Sequence, residues 1–167
     1  MEKLWTEGKI GTMTVKNRTV RSATNDHLAT RDGELTEAWL ENYEELAAGG
    51  VGLIITGQFS MDATQRADEG QPILTADMDS GMLARSCEVL RRTCESVHSY
   101  GAKLVVQLSH TGVKAPEGVN GRPPKAPADF TKEELKALVE EIVAFADKLP
   151  TAEPLAGLTG GIALQER

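Results

Sequence analysis

The sequence has no long apolar run, no basic cluster and no glycine-rich phosphate loop, and each absence removes a class of function. The opening stretch, MEKLWTEGKIGTMTVKNR, is too polar for a signal peptide or a membrane span. A cytoplasmic location is therefore expected, with no membrane partner. Lys and Arg number 18 against 25 Asp and Glu, for a net charge of -7. With no basic run, nucleic acid and anionic membrane surfaces are poor partners. Neither GxGxxG nor GxxxxGK[ST] occurs, so the dinucleotide-fold and P-loop readings lack their fingerprints. No nucleophile with a partner at telling spacing and no metal-ligand spacing is found, and no metal is expected. Cys87 and Cys94 are the only cysteines. Seven residues apart, they share a helix face and are expected to be buried, reduced packing residues.

What is present is a regular alternation. Residues 8 to 17 read as a short hairpin, with Ile10, Met13 and Val15 between glycines and polar residues. Thr19 to Ala23 read as a strand. Thr36 caps a helix to about Ala48, with Trp39, Leu40, Tyr43, Leu46 and Ala47 at helical spacing. Gly49-Gly50 ends it, and residues 51 to 56, VGLIIT, form a strand apolar on both faces, as in a parallel sheet. A long loop covers 57 to 78. A second helix runs from Asp79 to Gly101 and a buried strand from Lys103 to Leu108. A Gly/Pro-rich loop, 112 to 129, leads to a capping box of Thr131 and Glu134 and a third helix to Ala146. Strands alternating with helices imply an α/β fold with a parallel sheet. The final stretch, LPTAEPLAGLTGGIALQER, breaks this rhythm and reads as irregular.

In parallel α/β proteins ligands bind at the carboxyl ends of strands. Three such ends hold Ser22, Ala23, Thr24, Asn25 and His27; Thr56, Gly57 and Gln58; and Gln107, Ser109 and His110. They are small, polar or amide-bearing rather than acidic. Amides and backbone N–H groups suit a neutral heteroaromatic ligand, although Ser, Thr and Gln also serve as caps and turn formers at such places. His110 reads as a structural, hydrogen-bonded histidine, His98 as a helix-end or surface residue, and His27 as the better functional candidate.

The segments KIGTMTVKNRTV (9 to 20), RSAT (21 to 24), GGVGLIITG (49 to 57) and QLSHTG (107 to 112) occur in this order, and together they resemble the old yellow enzyme family of NADH:flavin oxidoreductases. Residues 9 to 20, KIGTMTVKNRTV, are similar to the family's opening motif, and Arg21-Ser22-Ala23-Thr24 to its first flavin-contacting strand end. Residues 49 to 57, GGVGLIITG, look like its second strand, and residues 107 to 112, QLSHTG, match its QLxHxG element. The resemblance covers about residues 3 to 147. It implies the N-terminal portion of a (β/α) TIM-barrel: about three βα units preceded by a β-hairpin over 1–147, with 148–167 as a tail unlike the family.

The resemblance also implies a function. Such enzymes use FMN, take a hydride from NADH or NADPH, and pass it to an activated alkene or similar small-molecule acceptor. Carried over by position, Ser22, Ala23, Thr24, Asn25, Gly57, Gln58 and Gln107 would contact the flavin, with Gln107 on its pyrimidine edge. Asn25 stands where the family has a Thr or Cys that tunes the flavin, and its amide would donate a hydrogen bond there. Gln58 stands where a small residue is usual, and Val113 where an Arg is common. His27 falls where some members have a substrate-facing Tyr. The family's substrate-binding pair follows a fourth strand, and its flavin-side Arg and phosphate contacts follow later ones, so the catalytic residues are left unassigned. The chain is thus expected to be an incomplete flavin oxidoreductase, completed by another copy or a complementing chain. The alternative is a truncated, non-catalytic remnant or interaction module that retains no flavin.

Overall fold

The computed structural model describes residues 2–146. The chain opens with a short hairpin, β1 (Gly8–Ile10) against β2 (Met13–Val15), turned at Gly11 and Thr12. Asn17 fastens the end of the hairpin to the chain around Thr19 and Gly50. Its Nδ2 donates to the Gly50 carbonyl at 2.8 Å, and its Oδ1 accepts from the Thr19 N–H at 3.1 Å.

Three parallel strands then form one sheet in the order β3 (Val20–Arg21), β4 (Leu53–Ser60) and β5 (Lys103–Ser109). Helices α1 (Glu37–Ala48) and α2 (Ser80–Ser99) make the crossovers. Thr36 caps α1 by accepting from the Trp39 N–H at 3.2 Å, and Asp79 caps α2 by accepting from Gly81 and Met82. A one-turn helix, α3 (Glu117–Asn120), lies within the expected 112–129 loop. The expected capping box opens α4 (Lys132–Ala146): Thr131 N–H donates to Glu134 and Glu134 N–H to Thr131 Oγ1.

The core lies between the sheet and α1 and α2. Trp39, Ile54, Phe59, Leu74, Leu90, Cys94 and Val97 are all essentially inaccessible there. Burying such side chains contributes roughly 1.5–3 kcal/mol each. Trp39 meets the Phe59 ring edge-on, with centroids 5.7 Å apart.

The structure departs from the expected elements in instructive ways. β3 has two residues rather than the five from Thr19 to Ala23, because its ladder with β4 ends at the Arg21↔Ile54 pair, although the chain stays close enough to β4 for Thr24 to meet Gly57. β4 runs to Ser60, so Gly57 and Gln58 lie in the strand and not in a loop. The segment after it is packed rather than loose. Ser60 N–H donates to the Pro72 carbonyl and Leu74 N–H to the Ser60 carbonyl, and Gln65, Gln71, Ile73 and Leu74 are buried. β5 was expected to be buried, but it is largely half-buried and Gln107 is exposed, because the face turned away from the helices is open. Cys94 is buried, whereas Cys87 is half-buried at the margin of α2; both are free thiols. The irregular stretch expected over 148–167 lies outside the described residues. Among those described, no helix is long and apolar enough to cross a membrane.

Candidate functional site

The carboxyl ends of β3, β4 and β5 lie side by side, as their parallel pairing requires. β4 and β5 pair regularly from Leu53↔Lys103 to Ile55↔Val105, then resume at Gln58↔Gln107. This irregularity sets Gln58 and Gln107 next to each other on the open face. Gln58 is half-buried and Gln107 exposed.

Gly57 is where two strand ends touch. A Cβ there would stand 2.8 Å from the Thr24 carbonyl oxygen and 3.4 Å from the Asn25 Cα, so glycine alone permits the approach. The Gly57 N–H donates to the Tyr43 hydroxyl at 2.8 Å, and that hydroxyl donates to Asp26 Oδ2 at 2.8 Å. Burial, with the Asp26 charge adding to it, holds the Tyr43 pKa well above the ordinary tyrosine value, so the hydroxyl keeps its proton. Thr56 Oγ1 donates to the Gly57 carbonyl at 2.8 Å and accepts from the Gln107 N–H at 3.1 Å.

The segment after β3 is held from a second side. Asp68 Oδ2 accepts from Asn25 Nδ2 at 2.6 Å, and Asp68 Oδ1 lies 3.0 Å from His27 Nδ1. His27 is a non-glycine residue in the left-handed region, with φ of 55°, and its side chain is exposed. A Cβ on Gly70 would stand 2.9 Å from the His27 backbone, so this second glycine lets the loop close down. The bond to Asp68 orients the Asn25 amide. A carboxylate only accepts, so the amide turns its Nδ2 toward Asp68, and Oδ1 is left buried without a hydrogen-bond partner. Asn25 Nδ2 thus gives one N–H to Asp68 and keeps a second, while its Oδ1 is a buried acceptor. Ser22 and Thr24 are tied locally: Arg21 Nη1 donates to the Ser22 carbonyl at 2.8 Å and also contacts Thr24 Oγ1. Ala23 is half-buried between them.

His110 accepts from the Gly112 N–H through Nδ1 at 3.2 Å and packs edge-on against Phe130. Burial lowers its pKa, as it does for His98, where Lys103 adds to the effect. His98 lies half-buried in the last turn of α2, where burial and then Lys103 disfavour its charged form. No group of three His, Cys, Asp or Glu side chains suited to a metal ion occurs among the described residues.

In the sequence Tyr43 stands among the apolar residues of α1, and nothing local marks Asp26, Asp68 or Gly70. A buried Tyr hydroxyl needs a partner, which is the one signal that could have drawn Tyr43 out.

The profile of the NADH:flavin oxidoreductase / NADH oxidase family matches residues 3–149. The chain belongs to this family. It is 34% identical to the NADH oxidase of Thermoanaerobacter brockii over 126 residues, which is 75% of this chain and 18% of that protein. It is 31% identical to the NADPH dehydrogenase of Listeria welshimeri over 152 residues, 84% of this chain and 43% of the relative. The chain thus spans less than half the length of these relatives. The old yellow enzyme homologue of Zymomonas mobilis has the same fold over 86% of this chain and 44% of its own, with a TM-score of 0.72 at 22% identity. The three parallel strands and their helices are accordingly part of a (β/α) TIM-type barrel.

Proposed function

We propose that the carboxyl ends of β3, β4 and β5 hold the isoalloxazine ring of FMN, in an oxidoreductase that uses NADH or NADPH to reduce a small-molecule acceptor. The observation that carries this reading is the pairing of Gln58 with Gln107 on the open face. Each amide offers two donors and one acceptor, which suits the alternating edge of a neutral ring system. Gly57 lets the chain after β3 pack against β4, and Asn25 Oδ1 is a polar atom with no partner of its own. None of the proposed contacts, Ser22, Ala23, Thr24, Asn25, Gly57, Gln58 and Gln107, carries a charge, and the residue set fits a flavin ring.

When bound, FMN supplies the hydride chemistry; the protein's part is to orient the ring and shape its surroundings. Gln58 and Gln107 hold its polar edge, Gly57 lets the Thr24–Asn25 backbone close against β4, and His27 stands exposed beside it toward the acceptor. The alternative, an interaction module without flavin, draws on the open sheet face, where Val20 is 51% exposed.

The test is a titration of the 167-residue chain with FMN and with riboflavin, followed by quenching of flavin fluorescence. Both are expected to bind with dissociation constants within about threefold of each other, because the proposed contacts are to the ring. Gln107→Ala should weaken both by roughly 1–3 kcal/mol. Failure of both flavins to bind would leave the interaction module standing. FMN binding much tighter than riboflavin would move the contacts to the phosphate.

A further inference from the structure

We propose that Tyr43 and Thr56 are positioning residues: their hydroxyls hold one extra residue in β4, and that extra residue sets Gln58 beside Gln107. The proposal rests on the reading of these strand ends as a flavin site.

Successive side chains in a strand point to opposite faces. Ile54 and Phe59 are both fully buried in the core beneath α1 and α2. They stand five positions apart, an odd number, so an unbroken strand cannot direct both to that side. β5 has no such break. Leu104, Val106 and Leu108 alternate onto the core side, leaving Val105 and Gln107 on the open face. The pairing reconciles the two strands by advancing three residues on β4, from Ile55 to Gln58, for two on β5, from Val105 to Gln107. This is a β-bulge, a device that re-aims side chains. In regular pairing Gln58 would share the face of Ile54 and turn toward the helices.

A bulge leaves backbone groups without ladder partners, and unmade hydrogen bonds in a buried place are costly. Here three such backbone groups are met by side-chain hydroxyls. The Gly57 N–H donates to Tyr43, the Gly57 carbonyl accepts from Thr56, and the Gln107 N–H donates to Thr56. Both hydroxyl-bearing residues are buried, Thr56 at 0% and Tyr43 at 3% exposure, so water does not readily replace them. Tyr43 is itself fixed by Asp26, which ties the end of β3 to the same device. Neither hydroxyl touches the proposed ring contacts' side chains; both act through the backbone that carries them.

The test compares the 167-residue wild type with Tyr43→Phe, Thr56→Val and Thr56→Ser. Amide hydrogen exchange by NMR is read at Gly57, Gln107 and Ile54, together with FMN affinity. In Tyr43→Phe, Gly57 is expected to exchange about tenfold faster or more while Ile54 is unchanged. In Thr56→Val the same is expected of Gln107. Both variants should bind FMN about tenfold more weakly, and Thr56→Ser, which keeps the hydroxyl, should stay near wild type. Unchanged protection at Gly57 and Gln107 overturns the proposal. So does acceleration of Ile54 by as much as Gly57, which marks general destabilisation, or a Thr56→Ser as defective as Thr56→Val. If Tyr43→Phe does not fold, the Thr56 pair decides. If the wild type binds no flavin, the flavin reading falls, while the exchange pattern still decides the positioning role.

Discussion

Gly57 shows how narrow the tolerance is at a single residue. The methyl group of an alanine would press on the Thr24 carbonyl oxygen at 2.8 Å, an atom of the backbone that cannot rotate away. Gly57→Ala is therefore expected to destabilise the chain by roughly 1–3 kcal/mol, the cost of overpacking a well-filled site, measured as a lower urea midpoint at unchanged slope. An unaltered midpoint would mean that the segment after β3 is not pinned to β4. The residues of this site differ in how visible they are from sequence. Gln107 and Gly57 stand in motifs that point to strand ends. Asp68 sits in a polar loop where nothing local distinguishes it from Glu69, since its role depends on Asn25, 43 residues earlier.

Among the elements, the segment between β4 and α2 contributes more than its composition suggests. Its Asp68 accepts from Asn25 and from the Gly70 N–H at 2.8 Å, and it stands against His27. Asp68→Ala is expected to lower stability by about 1–3 kcal/mol, because the half-buried Asn25 amide loses its partner, and to loosen the 24–27 segment. Urea denaturation gives the first effect and limited proteolysis the second; a variant matching wild type in both would detach the loop from the site. The helices were legible from their periodicity and the start of β4 from its unbroken apolar run, VGLIIT. The short β3 and the length of β4 were not. The end of β3 is set by where its backbone pairing stops, and the bulge that carries β4 on to Ser60 is enforced by the burial of Phe59, which no local pattern announces.

For the molecule as a whole, acid is the expected weakness. Burial lowers the His98 and His110 pKa values from 6.5, so below about that pH the unfolded chain takes up protons that the folded one refuses. Stability from this source is lost as pH falls through the unfolded value. Glu34, held below 4.5 by its hydrogen bond to Arg85, adds stability that is present above 4.5 and disappears under stronger acid. The urea midpoint should thus fall from pH 7.5 to 5.5, and a His98→Gln, His110→Gln double variant should flatten that fall; a wild type indifferent to pH across this range would contradict both assignments. The extra residue in β4 carries a last consequence at this scale, one of parity. Residues before it keep time with Ile54 and residues after it with Phe59. Removing one residue between them would exchange the two sides of the strand's end, sending a phenyl ring to solvent and an amide into the core. This stretch should therefore bear changes in the kind of its residues far better than a change in their number.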